Sequence, residues 1–142
     1  MAEFKFPEEK NLVFIGEAGS GKTETAVNLA LRMAREGGRR VHFFDMDQTK
    51  PLFRARDCEA QLEREGVVFH FQAQYLDAPT VASGVIETLR DEGSAVIMDI
   101  GGGSHGSHMI GQFSHLLNSA NTLVLYIVCL LYTSDAADDS LR

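Results

Sequence analysis

Residues 16–23 read GEAGSGKT and come directly after the apolar run NLVFI at residues 11–15. An apolar run that ends in glycine predicts a buried strand entering a loop. Residues 23–36 follow with apolar side chains at helical spacing, and glycines at residues 37–38 end that pattern. This part of the chain therefore predicts a strand, a glycine-rich loop and an amphipathic helix in direct succession.

The loop matches the phosphate-binding pattern G-x-x-x-x-G-K-[ST] at every fixed position. Glycines let the backbone turn tightly and point several N–H groups at phosphates, and the next helix adds the partial positive charge of its N-terminus. We expect Lys22 to contact the β- and γ-phosphates and take part in catalysis, and the Thr23 hydroxyl to bind Mg²⁺. The residues expected to contact the nucleotide here are Gly16, Glu17, Ala18, Gly19, Ser20, Gly21, Lys22, Thr23 and Glu24.

The rest of the chain alternates between short apolar runs and helical patterns. Strands are predicted at residues 41–44, 67–71, 95–98 and 122–128, and helices at residues 51–65, 79–92 and 110–119. Such alternation is typical of βαβ units. It predicts the α/β class, with a doubly wound, mostly parallel sheet covered by helices on both faces. Ligands of such sheets bind at the carboxyl ends of the strands.

Acidic residues stand at the ends of two predicted strands. Asp45 and Asp47 come at the end of the second strand. Asp99 comes at the end of the strand predicted at residues 95–98. We expect Asp99 to hold Mg²⁺ beside the glycine loop, and Asp45 or Asp47 to hold Mg²⁺ or orient the attacking water. Gly102 lies three residues after Asp99, where its N–H can contact the γ-phosphate.

Basic residues and histidines give weaker signals. Lys50, Arg54 and Arg56 are close in sequence to the acidic pair, but a solvated helix face is the favoured interpretation over contacts with phosphate or a partner. For His105 and His108, with His115 further on, a metal site is the alternative and a switch loop is favoured.

Charge and composition exclude several classes of protein. The net charge of −7 is against a general nucleic-acid binder, and the two cysteines match no metal spacing. The N-terminus lacks the features of a signal peptide, and the longest apolar run, residues 123–131, is too short for a transmembrane segment. We therefore expect a cytoplasmic protein without a transmembrane segment.

Residues 129–142 (CLLYTSDAADDSLR) differ in character from the rest of the chain. They resemble an in-frame translation of a transposase sequencing adapter, and a genuine acidic tail is the alternative. The expected division is therefore a non-native read-through tail at residues 129–142. Residues 1–128 would then be the N-terminal part of a P-loop nucleotide-binding domain.

The order of these motifs resembles the MinD/ParA/CobQ family of P-loop ATPases. The stretch from Asp45 to Asp57 resembles the D-x-D-x-x-x-P-x-F-R-x-R-D pattern of uncharacterised bacterial ATP-binding proteins in that group. The resemblance implies ATP, with GTP less favoured, and a switch that works as a homodimer or with a protein partner. It also implies that Asp47 orients water. Glu17 stands where many members have a second lysine that reaches the nucleotide of the other subunit.

Four functions follow as hypotheses. The first is an ATP-hydrolysing molecular switch that acts on a protein partner. The second is a P-loop small-molecule kinase whose acceptor binds near Arg54 and Arg56. The third is a GTP-using metallochaperone in which His105 and His108 receive the metal. The fourth is a nucleotide-binding module without hydrolysis.

Overall fold

The computed structural model describes residues 7–17, 19–46, 55–71, 87–101, 111 and 121–128. The strands are β1 (Asn11–Ile15), β2 (Arg40–Met46), β3 (Val68–Phe71), β4 (Ser94–Ile100) and β5 (Thr122–Tyr126). Helix α1 spans Lys22–Glu36, and a 3-10 turn at Ala55–Cys58 leads into α2 at Glu59–Arg64. Residues 87–90 are also helical. Within these ranges no helix combines the length and apolarity needed to cross a membrane.

The five strands form one sheet in the order β3-β2-β4-β1-β5, and every neighbouring pair is parallel. This confirms the predicted α/β class and parallel sheet. Strand β4 lies between β1 and β2, so α1 crosses over β4 on its way from β1 to β2. The glycine loop after β1 therefore emerges between the carboxyl ends of β4 and β5.

Two strands are longer than the sequence predicted. The second was expected at residues 41–44 and the fourth at residues 95–98, each ending at an aspartate. In the structure Asp45 and Asp99 lie inside β2 and β4 and are neighbours in register. The ladder continues one residue beyond each aspartate because backbone pairing, not side-chain polarity, determines where these strands end.

The helices differ more from their predicted bounds. In the described part of the predicted helix 51–65, the first turn is 3-10 and α2 ends at Arg64. The helix predicted at residues 79–92 ends at residue 90, because the Asp91 carboxylate accepts hydrogen bonds from Gly93 N (3.0 Å) and Ser94 Oγ (2.7 Å) and makes a turn. Of the helix predicted at residues 110–119, only Gly111 is described, and it is helical.

Apolar side chains cover both faces of the sheet. Successive residues of a strand point to opposite faces, so the central strands must be apolar at nearly every position to be buried on both. The face under α1 is packed by Leu12, Phe14, Ala26, Leu29, Ala30, Val41, Phe43, Ala95 and Ile97. The opposite face is packed by Val13, Phe44, Met46, Leu89, Val96, Met98 and Ile100.

A buried lysine holds the end of the sheet that is remote from the glycine loop. Lys10 Nζ donates hydrogen bonds to the carbonyl oxygens of Leu89 (2.8 Å) and Thr88 (3.2 Å) and to Asn11 Oδ1 (2.8 Å). An ammonium group at the C-terminal end of a helix satisfies its last carbonyls and complements its dipole. Burial lowers the pKa of Lys10. This contact fixes residues 87–90 against the sheet.

Two histidines pack together on the face opposite α1. His42 on β2 and His70 on β3 place Nδ1 and Nε2 3.1 Å apart, and their rings lie nearly parallel. The His70 ring also stacks on Phe44, with ring centroids 4.4 Å apart. Burial, and then the neighbouring His42, lower the pKa of His70 to about 4. Burial and Arg40 lower the pKa of His42.

The lowered pKa of His70 predicts a loss of stability in mild acid. The unfolded chain takes up a proton near pH 6.5 and the folded chain only near pH 4, so unfolding is favoured as pH falls through that window. The stability linked to His70 is fully present above pH 6.5. We expect the free energy of unfolding, measured in urea with a chelator present, to fall between about pH 6.5 and pH 4.

The matched variant is His70→Phe, which keeps a ring on Phe44 but cannot be protonated. Its stability should depend much less on pH in this window. An unchanged pH profile in His70→Phe would contradict the assignment.

Candidate functional site

The glycine loop joins β1 to the first turn of α1. A Cβ on Gly16 would lie 2.6 Å from the carbonyl oxygen of Ile127 and 3.0 Å from Ser20 Oγ. No side chain fits there, since Ile127 N is itself hydrogen-bonded to Ile15 O (2.9 Å) and holds the two segments together. Gly21 begins the helix with φ +88°, a left-handed conformation that favours glycine. The pattern therefore has glycine where the backbone requires it.

The start of α1 offers hydrogen-bond donors toward this loop. No side chain caps the helix at Gly21. The first N–H groups of an α-helix have no intrahelical acceptor and carry its partial positive charge. Ser20 N donates to Glu17 O (3.1 Å), which closes a turn inside the loop. Ser20 Oγ is buried and has no hydrogen-bond partner among the described residues. The loop is therefore rich in donors and holds one buried hydroxyl that a ligand or water can satisfy.

A buried charge cluster lies at the base of the loop. Lys22 Nζ forms an ion pair with Asp99 Oδ1, and Thr23 Oγ1 donates to Asp99 Oδ2 over 2.8 Å. Lys22 Nζ also lies 3.5 Å from Thr23 Oγ1. The three residues are 3%, 5% and 1% exposed in chain order. Both carboxylate oxygens of Asp99 are thus engaged by the first two residues of α1.

The sheet order explains why these residues meet. Phe14, near the end of β1, is in register with Asp99 on β4. The chain leaves β1 through the glycine loop, and α1 then runs back over β4, so its first turn stands above the carboxyl end of β4. Any order that separated β1 from β4 would remove Asp99 from the reach of Lys22.

Asp45 is a further buried carboxylate at the same edge. It is 3% exposed and is the register neighbour of Asp99, with β2 beside β4. Register neighbours in parallel strands project from the same face of the sheet, and the strands are about 4.8 Å apart. Two carboxylates at this spacing repel each other, and a cation beside them offsets that repulsion. Lys22 supplies one such cation.

The structure therefore brings together part of the predicted set. Gly16, Ser20, Lys22, Thr23 and Asp99 meet at one place. The following predicted residues lie outside the described residues: Ala18, Asp47, Lys50, Gly102, Arg54, His105, His108 and His115. For Arg56 only the backbone is described. Their roles stay predictions.

Glu17 and Glu24 are both exposed, at the loop and in the first turn of α1. Their contacts with a nucleotide stay predictions too. No cluster of three or more histidine, cysteine, aspartate or glutamate side chains suited to a metal ion occurs within the described ranges. Oxygen donors for a hard cation are nevertheless present in the Thr23 hydroxyl and the Asp99 carboxylate.

Two features of the site were not predicted. The contact between Gly16 and the Ile127 carbonyl is a backbone contact between segments over a hundred residues apart, so no residue type in the sequence indicates it. The pairing of Asp45 with Asp99 depends on strand order and register. The signal available for that pairing was the aspartate at the end of each apolar run.

Comparison with models of known protein families and with curated proteins finds no match for this chain.

The buried ion pair predicts a specific pattern of stability. Lys22→Met leaves the Asp99 carboxylate buried beside Asp45 without its ammonium partner. Removing one member of a buried pair typically lowers the free energy of unfolding by about 3–5 kcal/mol. The double variant Lys22→Met/Asp99→Asn removes both charges and should regain most of that loss in urea unfolding. The single variants are Lys22→Met and Asp99→Asn. If the loss of unfolding free energy in the double variant equals the sum of their separate losses, the pair does not stabilise the fold as described.

The loop geometry predicts different effects at two glycines. Gly16→Ala introduces a methyl group against the Ile127 carbonyl, whereas a Cβ on Gly19 meets nothing within 4 Å. Both glycines have positive φ, so Gly19→Ala is the control for backbone strain alone. We expect Gly16→Ala to have the lower melting temperature by several degrees. Equal melting temperatures would show that the Ile127 carbonyl moves aside for the methyl group at little cost, which would contradict the prediction.

Proposed function

We propose that this chain binds a nucleoside triphosphate together with Mg²⁺ and belongs to an ATP-hydrolysing molecular switch of the MinD/ParA/CobQ type. The observation that carries the proposal is the buried cluster of Lys22, Thr23 and Asp99 at the uncapped start of α1. A glycine loop with a fully matching phosphate-binding pattern leads directly into this cluster.

Each part of the cluster has a role in the proposal. The loop N–H groups and the start of α1 bind phosphate oxygens. Ser20 Oγ is a further hydroxyl donor for these oxygens. Lys22 leaves the Asp99 carboxylate and contacts phosphate when the nucleotide binds, because one ammonium group cannot fully neutralise both anions. Mg²⁺, when bound, supplies charge neutralisation for the phosphates, and Thr23 and Asp99 would hold it.

Hydrolysis in this proposal needs residues beyond the described cluster. Asp47 follows β2 directly and Gly102 comes two residues after the end of β4, and these two strands are neighbours in the sheet. Asp47 is proposed to orient the attacking water and Gly102 to sense the γ-phosphate. The preference for ATP over GTP, and a protein partner or second copy of the chain, rest on the family resemblance.

Nucleotide titration tests the binding step. We expect a fluorescent ATP analogue to bind with Mg²⁺, and Lys22→Met/Asp99→Asn to weaken binding by about 10–100-fold, since charged hydrogen bonds contribute about 1.5–3 kcal/mol. The control is Lys10→Met, which removes an equally buried lysine at the opposite edge of the sheet. Circular dichroism verifies that each variant is folded. Unchanged affinity in the double variant would refute the proposal.

Phosphate release tests the switch separately from binding. Slow ATP hydrolysis without an added acceptor is expected, and Asp47→Ala should abolish it while nucleotide affinity stays within about threefold. Turnover only with a phosphate acceptor would favour the kinase hypothesis. Binding without turnover in the unmodified chain would favour a nucleotide-binding module.

A further inference from the structure

We infer that His42 and His70 form a second metal site, which binds a divalent first-row transition ion such as Ni²⁺, Cu²⁺ or Zn²⁺. The site lies on the face of the sheet opposite α1. It is separate from the Lys22–Asp99 cluster, because His42 and Asp45 are an odd number of residues apart on β2 and so point to opposite faces.

The separation of the two nitrogens fits shared coordination. His42 Nδ1 and His70 Nε2 are 3.1 Å apart. Two nitrogens bound to one ion at about 2.0–2.1 Å lie about 2.9 Å apart at a right angle and about 3.3 Å apart at a tetrahedral angle. The observed distance falls between these values. An ion bound to both nitrogens lies roughly 1.3 Å to the side of the line that joins them, so both rings turn from a direct hydrogen-bond alignment to bring their lone pairs onto it.

The protonation of the pair also favours a metal. Imidazole binds metal in its neutral form, and burial disfavours the charged form by lowering the pKa of both rings. In the ligand-free pair one of the two facing nitrogens carries the shared proton. On metal binding that proton moves to the other nitrogen of the same ring, so no net proton is released.

The surroundings keep the two rings close together and set the strength of the site. His70 is stacked on Phe44, and the parallel pairing of β2 with β3 fixes the distance between the two strands. Arg40 and Lys10 act on His42 as positive charges and Asp91 as a negative one. With two protein nitrogens the ion keeps open positions for water or a small ligand. Imidazole nitrogen selects against Mg²⁺, which prefers oxygen.

Calorimetric titration of the full chain with Ni²⁺ at pH 7.5, in saturating Mg²⁺, tests the inference. Loss of a group that only orients a metal ligand typically lowers metal affinity by about 10–100-fold. Because His42 and His70 are proposed as ligands themselves, His42→Phe or His70→Phe should weaken Ni²⁺ binding by at least about tenfold. The control variant is His105→Phe/His108→Phe, which removes the other histidine pair and should leave the affinity unchanged. Ni²⁺ affinity that depends on the control pair and not on His42 or His70 would overturn the inference.

Electron paramagnetic resonance with Cu²⁺ gives a second measurement that does not depend on affinity. Two equivalent nitrogen couplings are expected in the unmodified chain and one in His42→Gln or His70→Gln, which serve if the phenylalanine variants fail to fold. If Cu²⁺ bound to either variant shows the same nitrogen coupling as Cu²⁺ bound to the unmodified chain, the inference is also overturned.

Discussion

The buried ion pair between Lys22 and Asp99 is the constraint on which the rest of the site depends. Both side chains are removed from water, and each buried ion would carry a desolvation penalty of several kcal/mol without its partner. Thr23 occupies the second carboxylate oxygen, so Asp99 is satisfied from one helix turn. This arrangement fixes the start of α1 above β4. A shift of α1 by one residue would replace Lys22 with a group that cannot neutralise the carboxylate.

Strand order turns this local pair into a property of the whole fold. Because β4 lies between β1 and β2, it receives α1 on one side and presents Asp99 to both neighbours. Strand β4, which carries Asp99, is buried along its full length and is therefore held by packing on both faces. The glycine loop is held from the other side by the contact of Gly16 with Ile127 beyond β5. Three strands thus determine where the loop lies.

The sequence predicts those parts of the fold that depend on near neighbours. The β1–loop–α1 unit follows from the apolar run, the glycines and the helical spacing within twenty-six residues, and the structure has it nearly as expected. Contacts between distant segments did not follow. Asp45 meets Asp99 and His42 meets His70 through register, which depends on which strands pair. The end of β2 was missed because a buried aspartate resembles a loop residue when its partner is unknown.

The alternation of side chains along β2 divides the chemistry of the molecule. On the α1 face Asp45 lies beside Asp99, which pairs with Lys22, and carboxylates of this kind suit a hard cation. His42 and Phe44 on the other face provide neutral nitrogen and aromatic packing. On the proposed function, Lys22 leaves Asp99 when phosphate binds, and Asp99 beside Asp45 then requires a new cation. Nucleotide and Mg²⁺ would therefore bind cooperatively, because either one alone leaves a buried carboxylate or a phosphate uncompensated.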